Sequence, residues 1–457
     1  MRLIFSFDTE EYETPGVDDA VRIWAEMLTR HGLRGVFCLV GEKARVLRRR
    51  GRKDVLDALA PHEIGFHSNF HSRHPLHAEY LEEMGWEEGV LRVIREELPG
   101  ICDVEEICGR RPFAYCKPGG SWGAQVAWAM AQMGLPVFSD APFEQAPGRP
   151  LWYCNQLFVE YHFSFDAYFD VADRPARMKA DFARLCEEIG DGVGVLYTHP
   201  VRLFTQRFTD NFRYGRNTPP SQWETAPLRP RARIEELIRD FEAFVEFIAG
   251  EGIEVIGYRE LYERYRRNRR WVDLRTVLRL ARAVREELNF HRIDGNFYAP
   301  AEIFGLFAFA LERYRRTGSL PGEIPLRAPA GPDRLLRFEE DPAPVSVEEI
   351  LFRAGEADRF LDEQRRMPAS VVCGRSAVAP GGFLQVMGEL IRKIDEKEIP
   401  SGKMKIDGRR VWPALALRED LARMEFGWSM FHPGFEGRRV AETARLQTWT
   451  AKPAEER

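Results

Sequence analysis

Along the first 265 residues, short apolar runs alternate with stretches whose apolar side chains recur every three to four positions. Leu3–Phe7, Gly35–Val40, Glu63–Phe66, Ala114–Cys116, Pro136–Phe138, Val193–Thr198 and Glu254–Tyr258 are short and bounded by turn residues, which predicts buried strands. Between them the period is helical. Asp18 and Asp19 open one such stretch, Val21, Trp24, Ala25 and Leu28 share a face, and Gly32 closes it. The helix predicted after the last strand runs into Arg264, Arg266, Arg267, Arg269 and Arg270, which reads as a solvated helix end at a domain boundary, with a docking site for anions as the alternative. Repeated β-α units predict an α/β domain with a parallel sheet, open or closed into a barrel.

Beyond about residue 270 helical periodicity takes over, and the chain repeats itself. Tyr298-Ala299-Pro300-Ala301-Glu302-Ile303-Phe304 is echoed by Val378-Ala379-Pro380-Gly381-Gly382-Phe383-Leu384, and the stops Leu320-Pro321-Gly322 and Ile399-Pro400-Ser401 follow in step. The period is about 80 residues, with proline where a helix's first turn tolerates it. Ala328–Pro344 reads as a linker. The expected organisation is an α/β domain over 1–267, mainly helical repeats over 268–335 and 345–415, and a polar, frayed tail over 416–457.

A chain of 457 residues is too long for one ordinary core. Sixty-six basic against 71 acidic side chains, a net charge of -5, argue against nucleic acid as the main partner. The longest nearly unbroken apolar run, Ile303–Leu311, is about half a membrane span, so no membrane partner is expected. The opening Met1–Asp8 is strand-like rather than signal-like, and the seven cysteines are scattered without a CxxC pair. Reduced thiols and a cytoplasmic location are the expectation.

Five of the ten histidines, His62, His67, His71, His74 and His77, fall within sixteen residues. His67 and His71 can turn inward together at a strand end if the segment enters a helix, and imidazole suits zinc and similar metals. Asp8 and Glu10 follow an apolar strand, and its alternation would point both carboxylates to one side. Gly194–Thr198 leads into His199-Pro200. Asp8, His67, Cys116 with Lys117, Asp140 and His199 all sit at carboxyl ends of predicted strands, where parallel α/β folds place their active sites.

The order of these motifs resembles the polysaccharide deacetylase (NodB-homology) family over residues 1–265. Phe7-Asp8-Thr9-Glu10 matches its acidic opening. Glu63-Ile64-Gly65 precedes His67-Ser68-Asn69-Phe70-His71, which matches its His-Ser/Thr-x-x-His motif. Arg111–Gly120 matches its Pro-Gly-rich turn, and Asp140 and Leu196-Tyr197-Thr198-His199 match its last two motifs. The sequence departs from the family pattern at Glu10 in place of an adjacent aspartate, at Cys116 in place of an arginine, and in lacking a tryptophan after Asp140.

The resemblance implies a distorted (β/α) barrel holding one divalent metal, zinc first, with cobalt, nickel, manganese or iron as alternatives. It implies Glu10, His67 and His71 as ligands, with Asp8 able to take the place of Glu10. Asp8 would be the general base, His199 the acid held by Asp140, and the N–H of Gly119 an oxyanion donor. Lys117 would supply Asp8 with the charge of the missing arginine. The implied reaction is hydrolysis of an amide bond in a small sugar, glycan precursor or other small amide, most simply deacetylation of an N-acetylated sugar. A ureide or small-amide hydrolase and a non-enzymatic glycan-binding protein on a decayed scaffold are the alternatives. Residues 347–406 faintly resemble short repeats with which archaeal cell-wall enzymes grip their polymer. The second half is expected to pack, bind a glycan or mediate homo-oligomerisation, with His291 and His432 as lone structural histidines.

Overall fold

The run Met1–Thr9 places its apolar side chains on both faces of a central strand, β1 (Arg2–Thr9), in which Leu3, Ile4, Phe5 and Phe7 are all buried. The computed structural model describes residues 1–456 except 144–145, 209–217, 267–268, 416, 418–420 and 422–425. Arg267 and part of the segment 416–457 thus lie outside the described residues. One unit comprises Met1–Leu151, Gln156–Tyr265 and Glu425–Val440, and a second comprises Trp152–Asn155, Arg266–Met424 and Ala441–Arg457.

In the first unit β1 is followed by β2 (Val36–Leu39), β3 (Glu63–Phe66), β4 (Ala114–Cys116), β5 (Val137–Ser139), β6 (Leu151–Tyr153, which passes into the short piece of the second unit), β7 (Gln156–Val159), β8 (Phe163–Ser164), β9 (Val193–Thr198) and β10 (Glu254–Val255). The order across its sheet is β7-β5-β4-β3-β2-β1-β9-β8. Neighbours are parallel, with Ser6–Thr9 on Val36–Leu39 and Arg2–Leu3 on Glu254–Val255. β7 and β8, at the two ends of this parallel run, are separated by Glu160, Tyr161 and His162 alone. Val159 to Phe163 spans at most about 14 Å, so the parallel run curls into a half-barrel whose two ends this link joins. The carboxyl ends of the strands therefore converge.

Two predicted spans change. Only Glu254–Val255 of Glu254–Tyr258 is strand; Tyr258 instead opens the helix Tyr258–Tyr265, whose Arg259 N–H bonds the Glu63 carboxylate at 3.1 Å. β7 and β8 went unpredicted; β8 has only two residues, too few to show any pattern. The expected helical turn between His67 and His71 is absent. Ser68 and His71 both adopt positive φ, 63° and 55°, and Ser68 Oγ accepts the His71 N–H at 2.8 Å. Asn69, between them, reaches so close to the helix Trp86–Cys108 that a Cβ at Gly100 would lie 2.7 Å from its Oδ1. A glycine is needed there for the loop to seat.

His62 belongs to this scaffold. Its Nδ1 accepts the Gly35 N–H at 3.2 Å and its Nε2 donates to Ala25 O at 2.9 Å, a pattern only the neutral ring satisfies. Burial first, then nearby arginines, lower its pKa to about 4. The unfolded chain therefore binds the extra proton below about 6.5, so this stabilisation is present above that pH and is lost as pH falls toward 4. The loss should reach about 3 kcal/mol. Denaturant unfolding at pH 7.5 and 4.5 should show the wild type's advantage over His62→Gln shrinking by that order. An advantage independent of pH would refute the neutral-ring assignment.

In the second unit the repeat is structural. Helices Leu274–Glu286 and Pro300–Thr317 flank the hairpin β12 (His291–Ile293) and β13 (Asn296–Tyr298), and β11 (Trp271–Asp273) pairs with β14 (Glu323–Pro325). The second copy places helices Val347–Gln364 and Pro380–Asp395 around β16 (Val371–Cys373) and β17 (Ser376–Val378), with β15 (Val345–Ser346) on β18 (Lys403–Met404). The expectation of helices alone is thus amended by a hairpin in each copy, Asp294-Gly295 turning the first. The first helix of each copy packs on the second helix of the other. Gly388 approaches the Ala281 backbone, with its Cβ position 3.5 Å away, and Gly355 lies against Glu312. Each copy buries its apolar stripe in a shared core that includes Phe304, Phe307, Phe383 and Met387. The tail does not fray: Arg438–Leu446 is helical, and Val440, Ala444 and Trp449 are fully buried. No helix among the described residues is long and apolar enough to cross a membrane.

Candidate metal centre

At the end of β3, His67 Nδ1 donates to Cys116 O at 3.0 Å, leaving the lone pair on Nε2 facing the barrel axis. His71 Nδ1 lies 2.7 Å from Ser72 Oγ, so its Nε2 also faces inward. Glu10, one residue past β1, brings Oε2 to 2.9 Å from His71 Nε2 and 3.5 Å from His67 Nε2. These ligand atoms lie within 4.8 Å of one another, and both Nε2 atoms and Glu10 Oε1 are buried without a hydrogen-bond partner.

Three buried donors that point at one another and bond nothing else fit a cation. Tetrahedral zinc ligands lie about 3.4 Å apart, close to the separations seen. The oxygen behind each imidazole fixes the ring's orientation, as such partners do for metal-binding histidines. Burial alone would push the Glu10 carboxyl up, but the His71, His199 and His67 imidazoles hold it well below its ordinary value.

Asp8, His67 and Cys116 form a second group of similar spacing. Its members are already engaged: Asp8 Oδ1 accepts Tyr161 Oη–H at 2.7 Å and the Cys116 thiol at 3.4 Å. Burial pushes the Cys116 thiol well up, which keeps it a neutral donor. Glu10, His67 and His71 are therefore the better cation set.

The remaining candidates divide. His199, after β9, places Nε2 3.6 Å from Asp8 Oδ2 and 3.9 Å from Glu10 Oε2. Its Nδ1 is held by Asp166 at 2.5 Å, and Asp166 also accepts the Thr198 hydroxyl at 2.6 Å. Burial works against the charged ring, yet Asp166, Glu10 and Asp8 together raise its pKa to about 10. The expectation that Asp140 orients His199 is thus corrected. Asp140 instead pairs with Lys117, whose Nζ also donates to Gly119 O at 2.8 Å. Lys117 consequently does not serve Asp8; the neutral Tyr161 hydroxyl does. Gly119 turns at φ 51° beside this pair. Of the other clustered histidines, His74 pairs with Glu79 and His77 with Glu97, each at 2.8 Å. His432, expected to stand alone, lies 3.4 Å from Glu79.

Tyr161 and Asp166 could not be picked out from the sequence because they follow β7 and β8, which went unpredicted. Removing the Tyr161 hydroxyl leaves a buried carboxylate short of a charge-assisted bond worth about 1.5–3 kcal/mol. Tyr161→Phe should thus lower kcat roughly 10–100-fold at unchanged metal content, measured by kinetics alongside metal analysis. An unchanged kcat would remove Tyr161 from the site.

No family model matches the chain, and no curated protein matches it. Solved structures that resemble it include a family 4 carbohydrate esterase from Streptomyces lividans in complex with acetate, 14% identical, covering 56% of this chain and 91% of that one, with a TM-score of 0.31. A CE4 family pseudoenzyme from Bacillus anthracis is 13% identical, with 57% and 64% covered and a TM-score of 0.33, so the chain spans less than two thirds of its length. A 4-alpha-glucanotransferase from Thermococcus litoralis is 12% identical, with 58% and 40% covered and a TM-score of 0.41. At such scores these likenesses carry no weight in assigning an activity.

Proposed function

We propose that the first unit is a metal-dependent hydrolase of a non-peptide amide bond, acting on an N-acetylated sugar or glycan precursor. The observation that carries this reading is the convergence of three unpartnered donors, Glu10, His67 and His71, beside Asp8 and the His199–Asp166 pair. A divalent cation bound there would supply Lewis acidity and lower the pKa of water to about 7. Asp8, fixed through Oδ1 by Tyr161, keeps Oδ2 open to accept a proton from the attacking water. His199, with Nδ1 tied to Asp166, presents Nε2 to protonate the leaving nitrogen. The N–H of Gly119 is the candidate backbone donor to the oxyanion. Burial of Asp8, Glu10, His67 and His71 excludes bulk water and strengthens each of these interactions.

An intact donor set with its supporting bonds weighs against a decayed scaffold. Every cation-capable cluster among the described residues falls in the first unit, which supports an accessory role for the second. The test is a screen of the full-length, metal-loaded protein against N-acetylated amino sugars, short chitin oligomers and ureides, reading released acid or amine. Turnover of ureides alone would move the substrate class. No turnover of any amide by fully metallated protein would leave the binding scaffold.

A further inference from the structure

The segment Glu425–Val440 belongs to the first unit although Arg266–Met424 intervenes in sequence. Its described part is pinned at several points. Phe431 and Phe435 stack at 4.6 Å, and Phe426 meets them edge-on at 5.9 and 5.5 Å. The Glu82 carboxylate accepts the N–H groups of Arg439 at 2.9 Å and Val440 at 3.1 Å, and the His432 ring stacks 6.0 Å from that of His74.

Between these pins Trp428 lies against the Gly119-Gly120 turn. A Cβ at Gly119 would overlap indole Cε2, and one at Gly120 would fall 3.1 Å from Trp428 Cβ. Only glycines let the indole come so close. Its ring meets that of His71 at 90°, with centroids 5.7 Å apart. Trp428 therefore touches both a cation-ligand candidate and the turn that carries the Gly119 N–H.

Exposure shows which side this leaves open. Asp8, Glu10, His67 and His71 are each 7% exposed or less. The His199 and Asp140 side chains keep 16% and 28%. The more exposed side chains of the centre thus lie on the His199–Asp140 side, while the indole lies against His71 and Gly119 on the other. An internal unit of an extended polymer needs a groove open on both sides of the reacting bond, whereas a chain end or a small molecule needs only one.

We propose that Trp428 is the specificity-determining wall of this centre, restricting it to an N-acyl group on a small molecule or a chain end. The substrate half of this statement rests on the amide-hydrolase reading, and the wall itself does not. The experiment uses full-length, zinc-loaded protein as wild type, Trp428→Ala and Trp428→Phe. Zinc transfer to excess EDTA should be roughly 10-fold faster in Trp428→Ala at unchanged starting stoichiometry, with Trp428→Phe near wild type. The ratio of kcat/KM on chitin hexamer to that on N-acetylglucosamine should rise roughly 10-fold in Trp428→Ala, through KM.

Equal zinc-transfer rates in all three proteins would overturn the wall. Faster transfer with an unchanged substrate ratio would overturn the specificity role. Faster transfer with no turnover of any N-acyl sugar by wild type would uphold the wall and sink the hydrolase reading. Should Trp428→Ala fail to fold or to load zinc, Trp428→Leu, which keeps an apolar side chain but opens the wall, takes its place in both measurements. Its zinc-transfer rate and substrate ratio then uphold or overturn the wall and the specificity role in the same way.

Discussion

Alanine at both His67 and His71 is expected to abolish stoichiometric metal binding. Each imidazole contributes one lone pair whose orientation is set from behind, by Cys116 O for His67 and by Ser72 Oγ for His71. Losing such a supporting bond alone typically costs roughly 10–100-fold in affinity, so losing two ligands outright should cost far more. The fold should survive, because the loop is also held by Asn69, whose N–H bonds Glu97 at 2.7 Å. Metal analysis after dialysis, with circular dichroism as control, reads the result. Full metal in the double variant would place the site elsewhere. Glu10→Gln and Asp8→Asn then separate the two carboxylates. Glu10→Gln should lose the metal, while Asp8→Asn should keep it and stop turnover; the reverse pattern would make Asp8 the ligand.

His199→Ala should reduce kcat by roughly 10²–10⁴-fold, the usual contribution of a positioned general acid. Metal should remain, since His199 belongs to neither group of ligand atoms that lie within 4.8 Å of one another. The choice between Asp166 and Asp140 as its partner is tested in the same way. Asp166→Asn weakens the hold on His199 Nδ1 and removes the charge that favours imidazolium, so it should cost a large part of the same factor. Asp140→Asn disturbs only the Lys117 pair and should cost much less. Steady-state kinetics on a substrate found in the screen decides between them. Equal losses in the two asparagine variants would undo the Asp166 assignment.

Much of the first unit was legible in the sequence because its strands are apolar runs between helical stretches, and parallel order follows from β-α alternation. β1 to β5 and β9 were readable for that reason, and all of them but β2 are followed by a polar residue that stands out against the strand. Asp166 and Tyr161 were not readable. They follow β8 and β7, whose places at the two ends of the parallel run are set by long-range pairing with no local pattern. Asp140 was the nearer guess for His199, since it also ends a strand, but it faces Lys117 across two positive-φ residues, Asp140 and Gly119.

The kinds of chemistry present were determined by the sequence alone: which imidazoles and carboxylates follow strands, and that no long apolar segment competes with a globular fold. Local spacing carries that information, because strand and helix periods are properties of a few consecutive residues. Which groups meet was decided only by tertiary structure. The curl of the sheet brings Tyr161 to Asp8 and Asp166 to His199, and the chain's return at 426–440 sets Trp428 against Gly119. Those contacts depend on loop closure and on packing between segments from 33 to more than 150 residues apart, for which no residue pattern along the chain stands as a sign.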